Sequence, residues 1–372
     1  MNFIPEVVIK SPGRINLIGE HLDYNGGHVL PAAIDLTVTL SLRKNNSHSC
    51  TIYSKSINDT FQVHLDNLEI SSQEWHNYFL GVIHFMEQKH PGRISGFDCI
   101  VESNLPIGSG VSSSAALECG IAIALKTLFD IPVTDEEVIY IARDAEHHFV
   151  GTKCGIMDQF AVVRGKKERL IHLNCHDLSY DYVPAELSPY VIVLLNTNVS
   201  HNLATSEYNL RRQECEAALE IIRRKHSEYE ALAHIPKKIV TEYQSEMTPK
   251  MFQRATYVIE ENQRTLDASA ALAEQNLSVF GAMLYASHKG LSEKYEVSCP
   301  ELDFLVQQAH HHPDVIGARM MGGGFGGCTI NLVHQDEVEF FVEQTALAYQ
   351  KKFQIQLTPH TVKIGDGVKR IQ

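Results

Sequence analysis

Apolar and polar positions along this chain follow two periods, and the points where the period changes mark its elements. Val7 to Lys10 reads as a short strand, and Ser11-Pro12-Gly13 is expected to end it. Ile34 to Leu42 is rich in β-branched residues and predicts a second strand. Phe97 to Val101 predicts a third, closed by Asn104-Leu105-Pro106. A Gly/Ser turn follows, and from Ser112 the pattern becomes helical. That helix is apolar nearly all round, from Ala115 through Cys119 and Ile121 to Leu125, with charge only at Glu118 and Lys126. A helix without a polar face belongs in the interior. Thr134 to Glu137 fits a capping box, and the helix it opens carries a stripe at Val138, Ile141, Ala142, Ala145 and Phe149. Glu146 borders that stripe and is expected at the edge of the core.

Further on, Tyr190 to Leu195 is a continuous apolar strand. Thr205 to Lys225 predicts a long helix with a stripe at Tyr208, Cys215, Ala218 and Ile222. Residues 223–262 are highly charged, with short helical pieces, and Thr265 to His288 predicts one further amphipathic helix. A glycine run at 322–327 precedes a strand from Thr329 to Val333, and Glu337 to Phe353 predicts a last helix. Strands and helices mix without strict βαβ alternation. The expected class is α+β with two domains, residues 1–185 and 186–354, followed by a tail, 355–372.

Composition narrows the function classes. The 372 residues are 44% apolar and 21% charged, which excludes a disordered, collagenous or small disulfide-stapled chain. Arg and Lys number 32 against 45 Asp and Glu, a net charge of −13 that argues against a nucleic-acid or anionic-membrane surface. The eight cysteines are scattered with no CxxC pair, so a zinc cluster is not suggested and a reducing cytoplasm fits. The segment from Met1 to Glu6 lacks the basic and apolar regions of a signal peptide. No apolar run reaches the roughly 18 residues of a membrane helix. A chain that is neither secreted nor membrane-spanning is expected.

Five segments carry candidate chemistry. Asn104 to Ala116 is a glycine and hydroxyl loop between a strand and a buried helix. Small residues at Gly108, Ser109, Gly110, Val111, Ser112, Ser113 and Ser114 would let backbone approach a ligand. The helix N-terminus would then meet a nucleotide phosphate, with one hydroxyl free for Mg²⁺. An ordinary Gly/Ser turn is the competing reading, and no P-loop motif occurs. The run Gly322 to Gly327 contains GxGxxG, but a strand rather than a helix follows it, so a hairpin or a close backbone approach is expected. Ser11 to Asn25 packs Arg14, Glu20, His21 and Asp23 among glycines, a set suited to a polyhydroxylated ligand, to a metal, or to a structural network. Cys154 to Gln159 holds Gly155 and a lone Asp158, and Ser206 to Asn209 holds Tyr208, which by itself reads as packing.

In their order along the chain these segments resemble the GHMP kinase superfamily and, within it, the galactokinase family. Gly13-Arg14-x-Asn16-Leu17-Ile18-Gly19-Glu20-His21-x-Asp23-Tyr24 is similar to the galactokinase motif. Pro106 to Ala115 is similar to the GHMP phosphate motif, with Val111 where Leu is usual, and Gly322 to Gly327 to the third motif. The resemblance implies a two-domain fold with its active site in the interdomain cleft, and a tail that can return to the N-terminal domain. It implies phosphoryl transfer from ATP to the anomeric hydroxyl of D-galactose by a cytoplasmic monomer. Carried over by position, Asp158 matches the base or orienting group, and Arg14 the cation near the reacting oxygen. Glu20, His21, Asp23, Gly155 and Tyr208 match sugar positions. Gly108 to Ser114 match the nucleotide loop, and Ser114 with Glu146 match the Mg²⁺ ligands. A kinase for galacturonate, arabinose or N-acetylgalactosamine, or a silent sugar sensor, are the rival readings.

Overall fold

A computed structural model describes residues 3–106, 108–200 and 204–372. Met1, Asn2 and Ile107, the last a member of the phosphate-loop motif, lie outside the described residues. The first half runs β1 (Val7–Asn16), β2 (His28–Val29), β3 (Pro31–Lys44), β4 (Ser49–Ser54), β5 (Asp59–His64), α1 (Glu74–Lys89), β6 (Phe97–Ser103), α2 (Ser113–Phe129), α3 (Asp135–Ala145), α4 (Met157–Arg164), β7 (Arg169–Asn174) and β8 (Tyr180–Pro184). The second half runs β9 (Tyr190–Ser200), α5 (Ala204–Arg223), α6 (Lys237–Glu242), α7 (Pro249–Ala273), α8 (Leu277–Gly290), α9 (Pro300–His311), β10 (Val315–Met320), β11 (Gly326–His334), α10 (Val338–Phe353), β12 (Thr358–Val362) and β13 (Lys369–Arg370).

Three sheets form. A six-stranded sheet has the order β13-β1-β3-β6-β4-β5, a four-stranded sheet β10-β11-β9-β12, and a three-stranded sheet β2-β7-β8. The mixed content is the expected α+β. Helix α2 packs on β1 and β3, and its apolar circumference is buried as its sequence requires: Ala115, Cys119, Ile121 and Leu125 are all fully enclosed. One hydrophobic cluster joins these residues to Ile192, Leu194, Ile330 and Leu332 of the four-stranded sheet. The core therefore crosses the expected boundary at 185/186.

Two expectations change. Ser11-Pro12-Gly13 does not end β1; the strand runs on to Asn16, with its register shifted between Pro12 and Arg14. This bulge places Gly13 where a Cβ would sit 2.6 Å from Leu105 and 2.9 Å from the Val111 carbonyl. The helix expected over 265–288 is two, and the first of them, α7, already begins at Pro249, inside the segment expected to hold only short helical pieces. α7 stops at Ala273, Gln275 turns with φ 58°, and Asn276 caps α8 by accepting from the Val279 N–H. The capping box is present as expected: the Thr134 side chain accepts from the Glu137 N–H, and Glu137 accepts from the Thr134 N–H.

The tail returns to the first sheet. β13 pairs with β1, Gly365 N donates to the Ala33 carbonyl (2.9 Å), and Val368 N donates to the Val162 carbonyl of α4 (2.8 Å).

Candidate active site

The loop between β6 and α2 needs its glycines. Gly108 and Gly110 have φ of 69° and 74°, and Ser112 joins them at 57°. Ser112 occupies the N-cap of α2 but its side chain gives the helix no cap bond. The first-turn N–H groups are left facing outward, the arrangement that receives an anion. The turn joining β10 to β11 lies against this loop. A Cβ on Gly322 would be 3.3 Å from the Gly110 carbonyl, and one on Gly327 would be 3.5 Å from the Ser109 carbonyl. The expected hairpin and the expected close approach are thus one feature. Within the loop, Ser109 turns its hydroxyl to the Pro106 carbonyl (2.7 Å), and Val111 is buried, its carbonyl accepting from the Arg14 N–H.

Asp158 stands in the first turn of α4, where the helix field favours a carboxylate. Arg14 grips it with two bonds, Nε to Oδ1 at 2.7 Å and Nη2 to Oδ2 at 2.6 Å. Arg14 Nη1 donates to the Gly110 carbonyl at 2.5 Å, and the Ser112 hydroxyl donates to Asp158 Oδ2. One guanidinium therefore ties the carboxylate to the phosphate-type loop. Three of the roughly four lone-pair directions of the carboxylate are taken, which leaves one on Oδ1.

A cavity of about 200 Å³ opens beside this pair, lined by Arg14, Glu20, His21, Asp23, Ser114, Glu146, Asp158, Tyr208, Gly322 and Gly323. Glu20 is held from three sides: Asn16 Nδ2 donates at 2.7 Å, the Gly322 N–H at 3.0 Å, and Arg319 pairs with it. Burial raises its pKa to about 7 despite Arg319. Burial lowers His21 to about 3, so its ring is neutral. Asp23 is pushed up to about 6, first by burial and then by the neighbouring Asp158. Gly155 is where Asp23 passes: a Cβ there would lie 2.2 Å from the Asp23 carboxyl carbon. Tyr208 stacks on His21 with ring centroids 5.2 Å apart, so the residue that reads as packing in sequence faces the cavity.

The Ser114 hydroxyl and the Glu118 carboxyl both face Glu146, whose Oε2 is buried with no partner among the described residues. Burial raises Glu146 to about 7; Glu118, fully buried, rises further through burial and through Glu146 itself. Glu146 begins a single π turn that leaves α3 (Glu146–Val150), the kind of local irregularity found at functional sites.

Family models for the GHMP kinase N-terminal and C-terminal domains match residues 77–166 and 268–349, and a galactokinase galactose-binding model matches residues 2–44. A galactokinase of Thermotoga maritima is 42% identical over 98% of this chain and 99% of its own length. One from Staphylococcus carnosus is 40% identical over 100% of this chain and 96% of its own. The chain belongs to the galactokinase family. A crystal structure of Lactococcus lactis galactokinase complexed with galactose, 35% identical, superposes with a TM-score of 0.92 over 98% of this chain and 94% of that one. A Methanococcus jannaschii mevalonate kinase, 19% identical, shares the fold at a TM-score of 0.68.

Every residue expected at the site of this galactokinase-family chain lies on the cavity, on the loop beside it or, for Gly155, on the wall behind Asp23. Arg319 was not foreseen. It is fully buried, pairs with Glu20, and donates to the backbone carbonyls of Asn16 (3.0 Å) and Leu17 (2.8 Å). Its signal was present: an Arg between Ala318 and Met320 in a buried strand must have a partner. Of the two tyrosines beside the His21 ring, Tyr24 entered the sequence reading only as a member of the motif, with no role, and Tyr295 not at all, since neither sits in a local pattern that points to a ligand. None of the helices among the described residues is long and apolar enough to cross a membrane.

Proposed function

We propose that this protein phosphorylates D-galactose at the anomeric C1 hydroxyl with ATP, giving α-D-galactose 1-phosphate. The observation that carries the reading is the Arg14–Asp158 pair. It touches the glycine loop through Gly110 and Ser112 and the polar cavity through Asp158. The γ-phosphoryl group, presented at the α2 N-terminus, would lie one residue's reach from a hydroxyl held by Asp158. The sugar oxygen bonds to phosphorus, the bond to the β-phosphate oxygen breaks, and ADP leaves. The sugar proton passes to the free lone pair of Asp158 Oδ1. With a loose transition state this transfer comes late, so Asp158 first orients and then accepts. Arg14 fixes the carboxylate and places positive charge beside the transferring group.

His21, Asp23 and Tyr208 supply one imidazole, one carboxylate and one phenol to the sugar hydroxyls, while Glu20 acts through the walls it holds. The oxygen donors of Ser114 and Glu146, one of them unpartnered, suit Mg²⁺, which takes hard oxygen ligands in small number. When bound there, Mg²⁺ neutralises charge on the nucleotide phosphates. We place the reaction in the cytoplasm, in keeping with eight cysteines that are all free, and in a monomer of two domains, 1–185 and 186–354.

A coupled ADP-release assay with Mg-ATP over D-galactose, D-glucose, D-galacturonate, N-acetylgalactosamine and L-arabinose tests the proposal. Turnover fastest on D-galactose is expected. Preference for another sugar overturns the reading of His21, Asp23 and Tyr208. Silence on all of them, with ATP still bound, makes the chain a sensor.

A further inference from the structure

Behind the cavity wall, four side chains, three of them buried and Tyr24 half-buried, stand in hydrogen-bond contact in a row. His21 Nδ1 is 2.8 Å from the Tyr24 hydroxyl. The Tyr24 hydroxyl is 2.8 Å from that of Tyr295, which is 3.1 Å from the Cys215 sulfur on α5. None of the three groups behind His21 lines the cavity that holds Asp158. All four are neutral. Burial holds both phenols well above their ordinary range, raises the Cys215 thiol to about 12 and keeps the imidazole unprotonated. Each group thus has one hydrogen to place, and the row must run in a single direction.

Its two ends choose the direction. At the far end the Asn25 amide, anchored by its 2.7 Å bond to the His21 carbonyl, donates toward the Cys215 sulfur. With one lone pair so engaged, the thiol hydrogen is free to point at Tyr295, the direction the near end requires. At the near end, His21 Nε2 is buried with no partner in hydrogen-bond geometry, and the Gly323 carbonyl faces the ring. A carbonyl only accepts, so the Nε2 side favours an N–H. The left-handed backbone of His21, φ 63°, sets the ring at the cavity edge between these ends.

We infer that Cys215, Tyr295 and Tyr24 form a one-way hydrogen-bond row that locks His21 as the Nε2–H tautomer, so that it meets the sugar as a donor. The three are positioning residues, and the inference rests on the proposed galactose site. A donor at this position rejects a sugar that lacks an acceptor oxygen there, which makes the row a specificity device built outside the pocket. Gly27, two positions beyond Asn25 in the same segment, and Arg212 over Tyr24 keep the segment in place but add no hydrogen to the row.

Nitrogen-15 NMR on histidine-labelled, unliganded protein, with His21→Asn used to assign the signal, reads the tautomer directly. The expected result is a protonated Nε2 and an unprotonated Nδ1, unchanged from about pH 5 to 8. A proton on Nδ1 overturns the inference. Tyr295→Phe is expected to mix the tautomers and to raise the galactose KM about three- to tenfold with kcat nearly unchanged, the scale of one neutral hydrogen bond. Cys215→Ser is expected to keep the wild-type tautomer and KM, and Cys215→Ala to share the Tyr295→Phe defect. A wild-type tautomer and KM in Tyr295→Phe overturns the inference even if the protein is otherwise sound. If the wild type phosphorylates no galactose, the proposed function fails, while the tautomer measurement still decides the row.

Discussion

At Gly155 a single methyl group decides whether the sugar wall can form. Its Cβ would occupy the space of the Asp23 carboxyl, 2.2 Å away. Gly155→Ala is therefore expected to raise the galactose KM at least about tenfold, leave the ATP KM near wild type, and cost roughly 1–3 kcal/mol of stability, read by steady-state kinetics and urea melts. Asp158→Asn keeps the shape but not the acceptor; kcat should fall by about 10²–10⁴-fold while calorimetry still detects ATP binding. Asp23 gives a pH signature. Its folded pKa of about 6 lies above its ordinary 3.8, so the folded state holds the proton more tightly than the unfolded chain. The unliganded protein accordingly loses stability from this group as pH rises from 3.8 to 6. Sugar binding needs the carboxylate, so the galactose KM should climb below about pH 6, and Asp23→Asn should abolish that limb. Arg14, Glu20, His21 and Asp23 were legible in the sequence because ionisable groups crowded among glycines rarely face solvent, whereas Asp158, alone in its segment, was reached only through the family resemblance. Arg319 was not legible: it acts across 299 positions of sequence, and a pairing so distant leaves no local pattern.

Elements explain where the sequence could and could not be read. α2 was legible throughout, since an all-apolar helix has one place to go. The bulge in β1 was not, because Ser-Pro-Gly ends a strand by local preference and continues one only when a neighbour needs the space. That neighbour is the α2 loop, whose Val111 carbonyl accepts from the Arg14 N–H. The split between α7 and α8 followed the same logic in reverse: the apolar stripe continues while the backbone turns at Gln275. α2 also sets Ser114 against Glu146 on the π turn after α3. Ser114→Ala should raise the Mg²⁺ concentration for half-maximal activity several-fold, while calorimetric galactose binding without nucleotide stays at the wild-type value. An unaltered Mg²⁺ titration would remove Ser114 from the ligand set.

On the scale of the whole molecule, the six-stranded sheet and α4 are tied by a segment that carries none of the chemistry. Residues 364–372 bond to Ala33, Val162, Gly165 and Val8, and so bind β3, the end of α4 and β1 together. Deleting them should lower Tm by at least about 5 °C and reduce kcat more than either KM, because the far end of the helix carrying Asp158 loses its bracing. Equal losses in kcat and stability-matched controls would deny the tail that role. The arrangement has a consequence for the order of synthesis. A nascent chain makes the phosphate loop, the sugar motif and Asp158 well before β13, the strand that pairs with β1. Early segments can collapse as they emerge, but the helix of Asp158 is braced only when residues 364–372 have been made. Activity therefore waits for that segment, and a chain truncated before residue 364 carries every catalytic side chain without the frame that aligns them.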